Sequence, residues 1–285
     1  MNPKFGFHDK LDRRMAEAGT LVCVGLDPQV RHLPREVTPD RPGITSFLTN
    51  MIEATAPYTA VYKPNLAFYT AIGLDGLHIL ADVCAAIPTD IPVLLDCKVG
   101  DVGDTARAYA ASWFDILGVD ACTVNPYLGE DTLAPFFAYE GKGVIVICKT
   151  SNSGSGELQD QMLATGNTVY QKVADRCAEW NAAYPASIGL VVGATYPEQL
   201  ADVRQRVGNL PILLPGVGVQ GGDVEASVAA GLDSKGRGLM CSASRSILYA
   251  SSGEDYAERG AEAALTLRDQ INTSRAALQL ASQDL

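Results

Sequence analysis

Histidine is scarce in this chain. Among 285 residues there are three, His8, His32 and His78. His8 and His78 fall in helical patterns and His32 in a proline-flanked loop, so none follows an apolar strand-like run. Histidine-based catalysis and a histidine-ligated metal are therefore not expected. The seven cysteines (Cys23, Cys84, Cys97, Cys122, Cys148, Cys177 and Cys241) are odd in number and show no C-x-x-C spacing. Most lie in apolar runs, where a thiol acts as a small hydrophobe, which argues against a zinc site or a disulfide framework and for a reducing compartment. Runs of lysine or arginine are missing and the net charge is -11, which removes the electrostatic footprint of a nucleic-acid or anionic-membrane binder. No apolar run reaches membrane-spanning length. The opening stretch MNPKFGFHDKLDRRM has no apolar signal core, so the expected location is the cytoplasm.

Charge of either sign is also sparse, at 19%, against 47% hydrophobic residues. Such a chain can build a large core and is not of disordered composition. Short apolar runs at 21–25, 59–63, 91–96, 120–124, 143–148, 187–192, 211–214 and 238–241 alternate with helical patterns at 44–57, 74–87, 102–117, 130–139, 157–184, 196–206, 222–231 and 254–273. An extra helix at 7–18 precedes the first strand. Eight strand–helix units in this length predict an α/β fold, a (β/α)8 TIM barrel. With no linker composition along the chain, residues 1–285 are expected to be a single domain, the core covering about 5–269 and the tail after about 273 fraying. Two connections are long for such a barrel: 28–42, with four prolines, and 149–156 (KTSNSGSG), whose composition suits a mobile lid.

In these barrels the site lies at the C-terminal ends of the strands. There the chain delivers Asp27 (VGLDP), Lys63 and Asn65 (VYKPN), Asp96 and Lys98 (LLDCK), Asn125 (TVNPY), and Lys149, Thr150 and Ser151 (KTS). The opposite ends read as mostly proline, glycine and small polar residues, so charge is expected at one rim. Asp96 and Lys98, two apart on a strand, should share a face, and Asp101 and Thr105 should open the next helix. Three charges in D-x-K-x-x-D exceed what capping needs, and buried charges are costly unless paired or used. PGVGVQGGD after the seventh strand, with Pro215, Gly218, Gln220, Gly221 and Gly222, leads into a helix N-terminus, and Ser244 and Arg245 follow the eighth. Glycine-rich loops, helix N-termini and a forked guanidinium at these two positions point to a phosphate site.

Together, LLDCKVGDVGDTARAY, VGLDP, VYKPN, PGVGVQGGD and SASRSI resemble the orotidine 5′-phosphate decarboxylase family, and TVNPYLGED and KTSNSG resemble its longer bacterial subgroup. The similarity runs from about Phe5 to about Asp269. Cys97 stands where the family often has Phe or Tyr, and Val102 where it often has Ile. The resemblance implies a cofactor-free carboxy-lyase that converts orotidylate to uridylate and CO2 in pyrimidine biosynthesis. It implies a charged array of Lys63, Asp96, Lys98 and Asp101, with Lys98 as proton donor and Asp96 beside the leaving carboxylate. Asp27 and Lys63 would meet ribose hydroxyls, Ser151 the pyrimidine amide, and Gln220 and Arg245 the phosphate; Asn65, Asn125, Pro215, Gly218 and Ser244 complete the substrate-binding set. Asp101, Val102 and Thr105 would cross into the neighbouring site of a homodimer. Two other readings remain open: a metal-dependent sugar-phosphate decarboxylase or lyase of the same barrel group, and a non-catalytic phosphate-binding barrel.

Overall fold

The computed structural model describes residues 6–217 and 224–283. In it, the apolar runs become eight parallel strands: β1 (Val22–Leu26), β2 (Val61–Pro64), β3 (Leu94–Val99), β4 (Ala121–Val124), β5 (Gly143–Lys149), β6 (Ser187–Val192), β7 (Ile212–Pro215) and β8 (Leu239–Ala243). They pair in the order β2-β1-β8-β7-β6-β5-β4-β3. The ring closes where β2 meets β3 through two isolated bridges, Tyr62 with Val93 and Asn65 with Asp96. This is the (β/α)8 barrel. The strands are buried on both faces, as parallel strands under a coat of helices must be, and so read as continuous apolar runs rather than alternating ones.

The helices are α1 (Phe7–Glu17), α2 (Arg41–Thr55), α3 (Leu66–Thr70), α4 (Leu74–Ala86), α5 (Gly103–Ala111), α6 (Glu130–Phe137), α7 (Val169–Ala183), α8 (Pro197–Val207), α9 (Val224–Gly231), α10 (Arg245–Leu248) and α11 (Tyr256–Gln283). Local chemistry sets several starts. Asp40 accepts from the Gly43 N–H at 2.9 Å with Pro42 in the first turn of α2, and Thr168 and Gln171 form a capping box for α7.

Helix α1 lies across the N-terminal ends of the strands. Phe7, Leu11 and Met15 are buried beneath it, each worth about 1.5–3 kcal/mol of transfer free energy. Gly143 at the start of β5 is needed there, because a Cβ would stand 2.4 Å from the Phe7 ring. Salt bridges tie the polar face of α1 to the same end: Lys10 to Asp120 (2.9 Å), Arg14 to Asp90 (2.9 Å) and Asp12 to Arg237 (2.7 Å). Charge is therefore not confined to one rim, contrary to expectation. The charges of α1 sit on its polar face, and that face folds back onto strand starts distant in sequence.

Three helical expectations change. The helix expected over 157–184 begins only at Val169. Residues 158–168 instead form turns with a bridge between Met162 and Thr168, and Gly166 takes φ +85°, a left-handed turn conformation. The helix expected over 102–117 ends as α at Ala111 and continues as a π turn over Ser112–Ile116. The last helix does not stop near 273 but reaches Gln283, held by Asn272 donating to the Gly19 carbonyl (2.8 Å) and Arg275 donating to the Gly236 carbonyl (2.9 Å).

Candidate active site

The seam between β2 and β3 is where the charged residues meet. Lys63, on β2, donates to Asp96 Oδ2 at 3.1 Å, and Asn65 Nδ2 reaches the same oxygen at 3.2 Å. Lys98 pairs with Asp96 Oδ1, which also accepts from Thr123 Oγ1 at 3.0 Å. Asp96 and Lys63 are only 6% and 5% exposed, whereas the Lys98 side chain is 43% exposed. Burial alone would raise the Asp96 pKa, but the Lys63 and Lys98 ammonium groups outweigh it and hold the carboxyl at about 2. Burial would lower the Lys63 pKa; the charges of Asp27 and Asp96 reverse that and raise it above its ordinary value. The array is thus two lysine side chains sharing one carboxylate that is ionised at neutral pH.

Lys98 reaches Asp96 by a route that strand alternation does not describe. The β3–β4 register shifts between Leu95 and Val99, and Lys98 has φ +49°, the one described non-glycine residue at positive φ. Such a conformation costs of order 1–3 kcal/mol and persists only where the surroundings hold it. Here the holder is Thr123, whose hydroxyl accepts from the N–H groups of both Cys97 and Lys98 at 2.9 Å each while donating to Asp96. Thr123 is the functional residue that motif reading missed. Its signal was a polar residue inside an otherwise apolar buried strand.

Lys63 also lines a cavity of about 270 Å³ at the C-terminal ends of β1, β2, β7 and β8. Asp27, Ser151, Pro215, Ser244 and Arg245 share its wall. Asp27 is held from behind by two tyrosines. Tyr69 donates to the Leu26 carbonyl (2.7 Å), and Tyr249 donates to the Asp27 carbonyl (2.9 Å) while accepting from the Gln29 N–H (2.6 Å). Asp27 is 7% exposed, yet its Oδ1 has no hydrogen-bond partner among the described residues, and neither does the Ser244 hydroxyl. Buried acceptors left open on a cavity wall are costly unless a ligand donates to them. Arg245 opens α10 and has no ion-pair partner among the described residues.

Asp101, Val102, Thr105 and Asn125 stand apart from the array. Asp101 accepts from its neighbour's N–H, Val102, at 2.8 Å and makes no ion pair with Lys98 within the chain. It does not cap the following helix either. Val102 occupies that position, and Val102 (57% exposed) and Thr105 face outward. Asn125 Oδ1 caps the turn over Pro126–Leu128, accepting from Tyr127 N at 3.0 Å. Asn65 is engaged at both ends of its amide, with Oδ1 accepting from Ala67 N at 3.1 Å. Gly218, Gln220, Gly221 and Gly222 lie outside the described residues. Among the described residues no group of three or more His, Cys, Asp or Glu is placed to hold a metal ion, and no helix is long and apolar enough to cross a membrane. All seven cysteines are free thiols.

A parallel barrel with an ammonium–carboxylate array at the strand ends and an arginine-lined cavity beside it defines a barrel enzyme for a small anionic substrate. The chain belongs to the orotidine 5′-phosphate decarboxylase / HUMPS family, whose model matches residues 20–259. It is 45% identical over 270 residues to the orotidine 5′-phosphate decarboxylase of Thermomicrobium roseum, covering 94% of this chain and 96% of that one. To the enzyme of the same name from Bordetella pertussis it is 44% identical over 272 residues, with 94% and 99% covered. Among solved structures it is similar to Leishmania donovani OMP decarboxylase (TM-score 0.83, 39% identity, 95% and 99% covered). It is also similar to the putative orotidine-monophosphate-decarboxylase of Toxoplasma gondii (TM-score 0.88, 38% identity, 96% and 97% covered).

Proposed function

We propose that this chain decarboxylates orotidine 5′-phosphate to uridine 5′-phosphate, with Lys98 as the proton donor. The observation that carries this reading is the continuity of the array with the cavity: Lys63 belongs to both. A phosphate held at Arg245 and a ribose whose hydroxyls donate to the open oxygen of Asp27 would lay the pyrimidine along Lys63 toward Asp96 and Lys98. Gln220 and Gly218 would complete the phosphate contacts, Ser244 and Pro215 line its approach, and Ser151 meets the pyrimidine amide. Asn65, which also bonds Asp96, and Asn125 complete the substrate-binding set.

When the C6–CO2 bond breaks, its electron pair stays on C6. The Lys98 ammonium is already fixed beside that carbon and stabilises the charge as it develops, with no reorganisation needed at the moment of reaction. It then transfers a proton to C6. Asp96 keeps Lys98 oriented, and Lys63 in turn keeps Asp96 ionised. Binding energy from the distant phosphate serves the chemical step.

The proposal includes a homodimer in which Asp101, Val102 and Thr105 serve the partner's site. What supports it is that Asp101 has no ion pair among the described residues of its own chain and that Val102 projects from the rim. The deciding experiment follows the fall in ultraviolet absorbance of orotidylate on adding protein and EDTA. Turnover that persists under chelation is expected. Dependence on added magnesium would replace this mechanism with the metal-assisted one, and binding without turnover would leave a phosphate-binding barrel.

A further inference from the structure

Lys149 is the last residue of β5, and no step above uses it. It is 1% exposed, as buried as the apolar core. Its ammonium lies 2.7 and 2.8 Å from the two carboxylate oxygens of Asp160, 3.3 Å from the Ser155 hydroxyl, and 5.2 Å from the centre of the Tyr196 ring. A desolvated cation is costly unless its partners surround it, and among the described residues every carboxylate and hydroxyl oxygen bonded to this one comes from the segment that follows it in sequence. The segment is therefore drawn inward around the ammonium. Gln159 adds a second tie, accepting from the Thr150 N–H and donating to the Thr150 hydroxyl at 2.8 Å each. The residue between these ties and the cavity is Ser151, which lines the cavity wall. Behind it stands Gly193, where a Cβ would come within 2.9 Å of the Ser151 backbone nitrogen. Ser151 is held from one side by β6 and from the other by a loop folded on a buried lysine.

We propose that Lys149, through Asp160, is a positioning residue that sets Ser151 against the pyrimidine of the substrate, so that the 150–160 segment is a preformed wall rather than a loose lid. This rests on the orotidylate reading and adds to it the element that fixes the base-contacting residue. Replacing the ammonium by the apolar, similarly long side chain in Lys149→Met leaves Asp160, which is half-exposed, free to turn to water. Ser151 then loses its support while the Asp96 array keeps its own.

The test is a double-mutant cycle between Lys149→Met and Ser151→Ala, read in kcat and KM for orotidylate, with thermal midpoints recorded for each protein. Each single variant is expected to lower kcat/KM by about tenfold, mostly through KM. The double variant should fall no further than Ser151→Ala alone, since a displaced Ser151 and a missing one lose the same contact. Asp160→Ala runs as a second arm should Lys149→Met not fold, with the same expectation. Losses that multiply in the cycle, or a Ser151→Ala enzyme equal to wild type, overturn the inference. Wild-type protein that does not consume orotidylate overturns the function itself, and that outcome is read before any variant is made.

Discussion

Replacing Thr123 by valine removes one hydroxyl and almost no volume, so it isolates the polar clamp beneath the array. Asp96 loses one hydrogen bond to a charged acceptor, about 1.5–3 kcal/mol. The N–H groups of Cys97 and Lys98 lose their acceptor. Because Cys97 is half-buried and Lys98 exposed, water can reach them, and each loss is nearer about 1 kcal/mol than the full desolvation value. The sum, about 3–5 kcal/mol, lies below the stability of an ordinary domain, so the variant should fold with a lowered urea midpoint. Activity should suffer more than stability. Without the clamp, the Lys98 N–H has no acceptor on β4 to keep it at φ +49°, and a displacement of about 1 Å at the proton donor costs on the order of a hundredfold in kcat. Thr123→Ser keeps the hydroxyl and forfeits one buried methyl, about 1 kcal/mol, and is the control. Urea titration and orotidylate turnover measure both quantities. A valine variant as stable and as active as the serine variant would show that the bulge needs no clamp.

Acid stability gives an independent measure of the array. Asp96 titrates near 2 in the folded chain and near 3.8 otherwise, so its contribution, about 2 kcal/mol, is fully present above about pH 4 and lost as pH falls toward 2; unfolding free energies of wild type and Asp96→Asn measured from pH 5 to pH 2 should differ in slope over that window. Gly193→Ala would place a Cβ 2.7 Å from that of Ser151 and 2.9 Å from its backbone nitrogen, so the Ser151 backbone must shift and KM should rise about tenfold while the melting temperature falls; an unchanged KM would mean that Ser151 touches no substrate. Lys98→Ala and Asp101→Ala, inactive apart, should regain about a quarter of wild-type activity when unfolded and refolded together, since half the dimers are hybrids with one intact site of two; no recovery would place Asp101 in its own chain's site.

The barrel was legible because its strands are apolar runs closed off by proline and glycine, and parallel strands buried on both sides leave that mark whatever their neighbours do. What lay hidden depends on contacts far away in sequence. The stretch GELQDQMLATG has helix-forming residues, yet Lys149 draws Asp160 inward and Gln159 turns back onto Thr150, so tertiary pairing overrides propensity there. Helices α3 and α10, of five and four residues, are shorter than the window in which a 3.6-residue period can be seen. The charged bottom rim was unreadable for the same reason: which strand end receives Lys10, Arg14 or Asp12 is decided by how α1 crosses the barrel.

The site shows the same division at closer range. Asp27, Lys63, Asp96, Lys98, Ser151, Pro215, Ser244 and Arg245 could be placed from sequence because each lies in the C-terminal part of a strand or just beyond it, and strand ends converge in a barrel. Strand alternation put Asp96 and Lys98 together, and they are together, but through a bulge and a left-handed residue supported from β4. The Lys98 N–H stays bonded to Thr123 on β4 while its side chain turns to Asp96, which is itself bonded to Lys63 and Asn65 at the seam. Barrel closure and the charged array therefore use the same two strand ends. A substitution that removes the Asn65 side-chain bond to Asp96 takes a partner from the carboxylate that also holds Lys98, so urea midpoint and kcat should fall together at Asn65, whereas at Arg245, away from the seam, activity should fall alone.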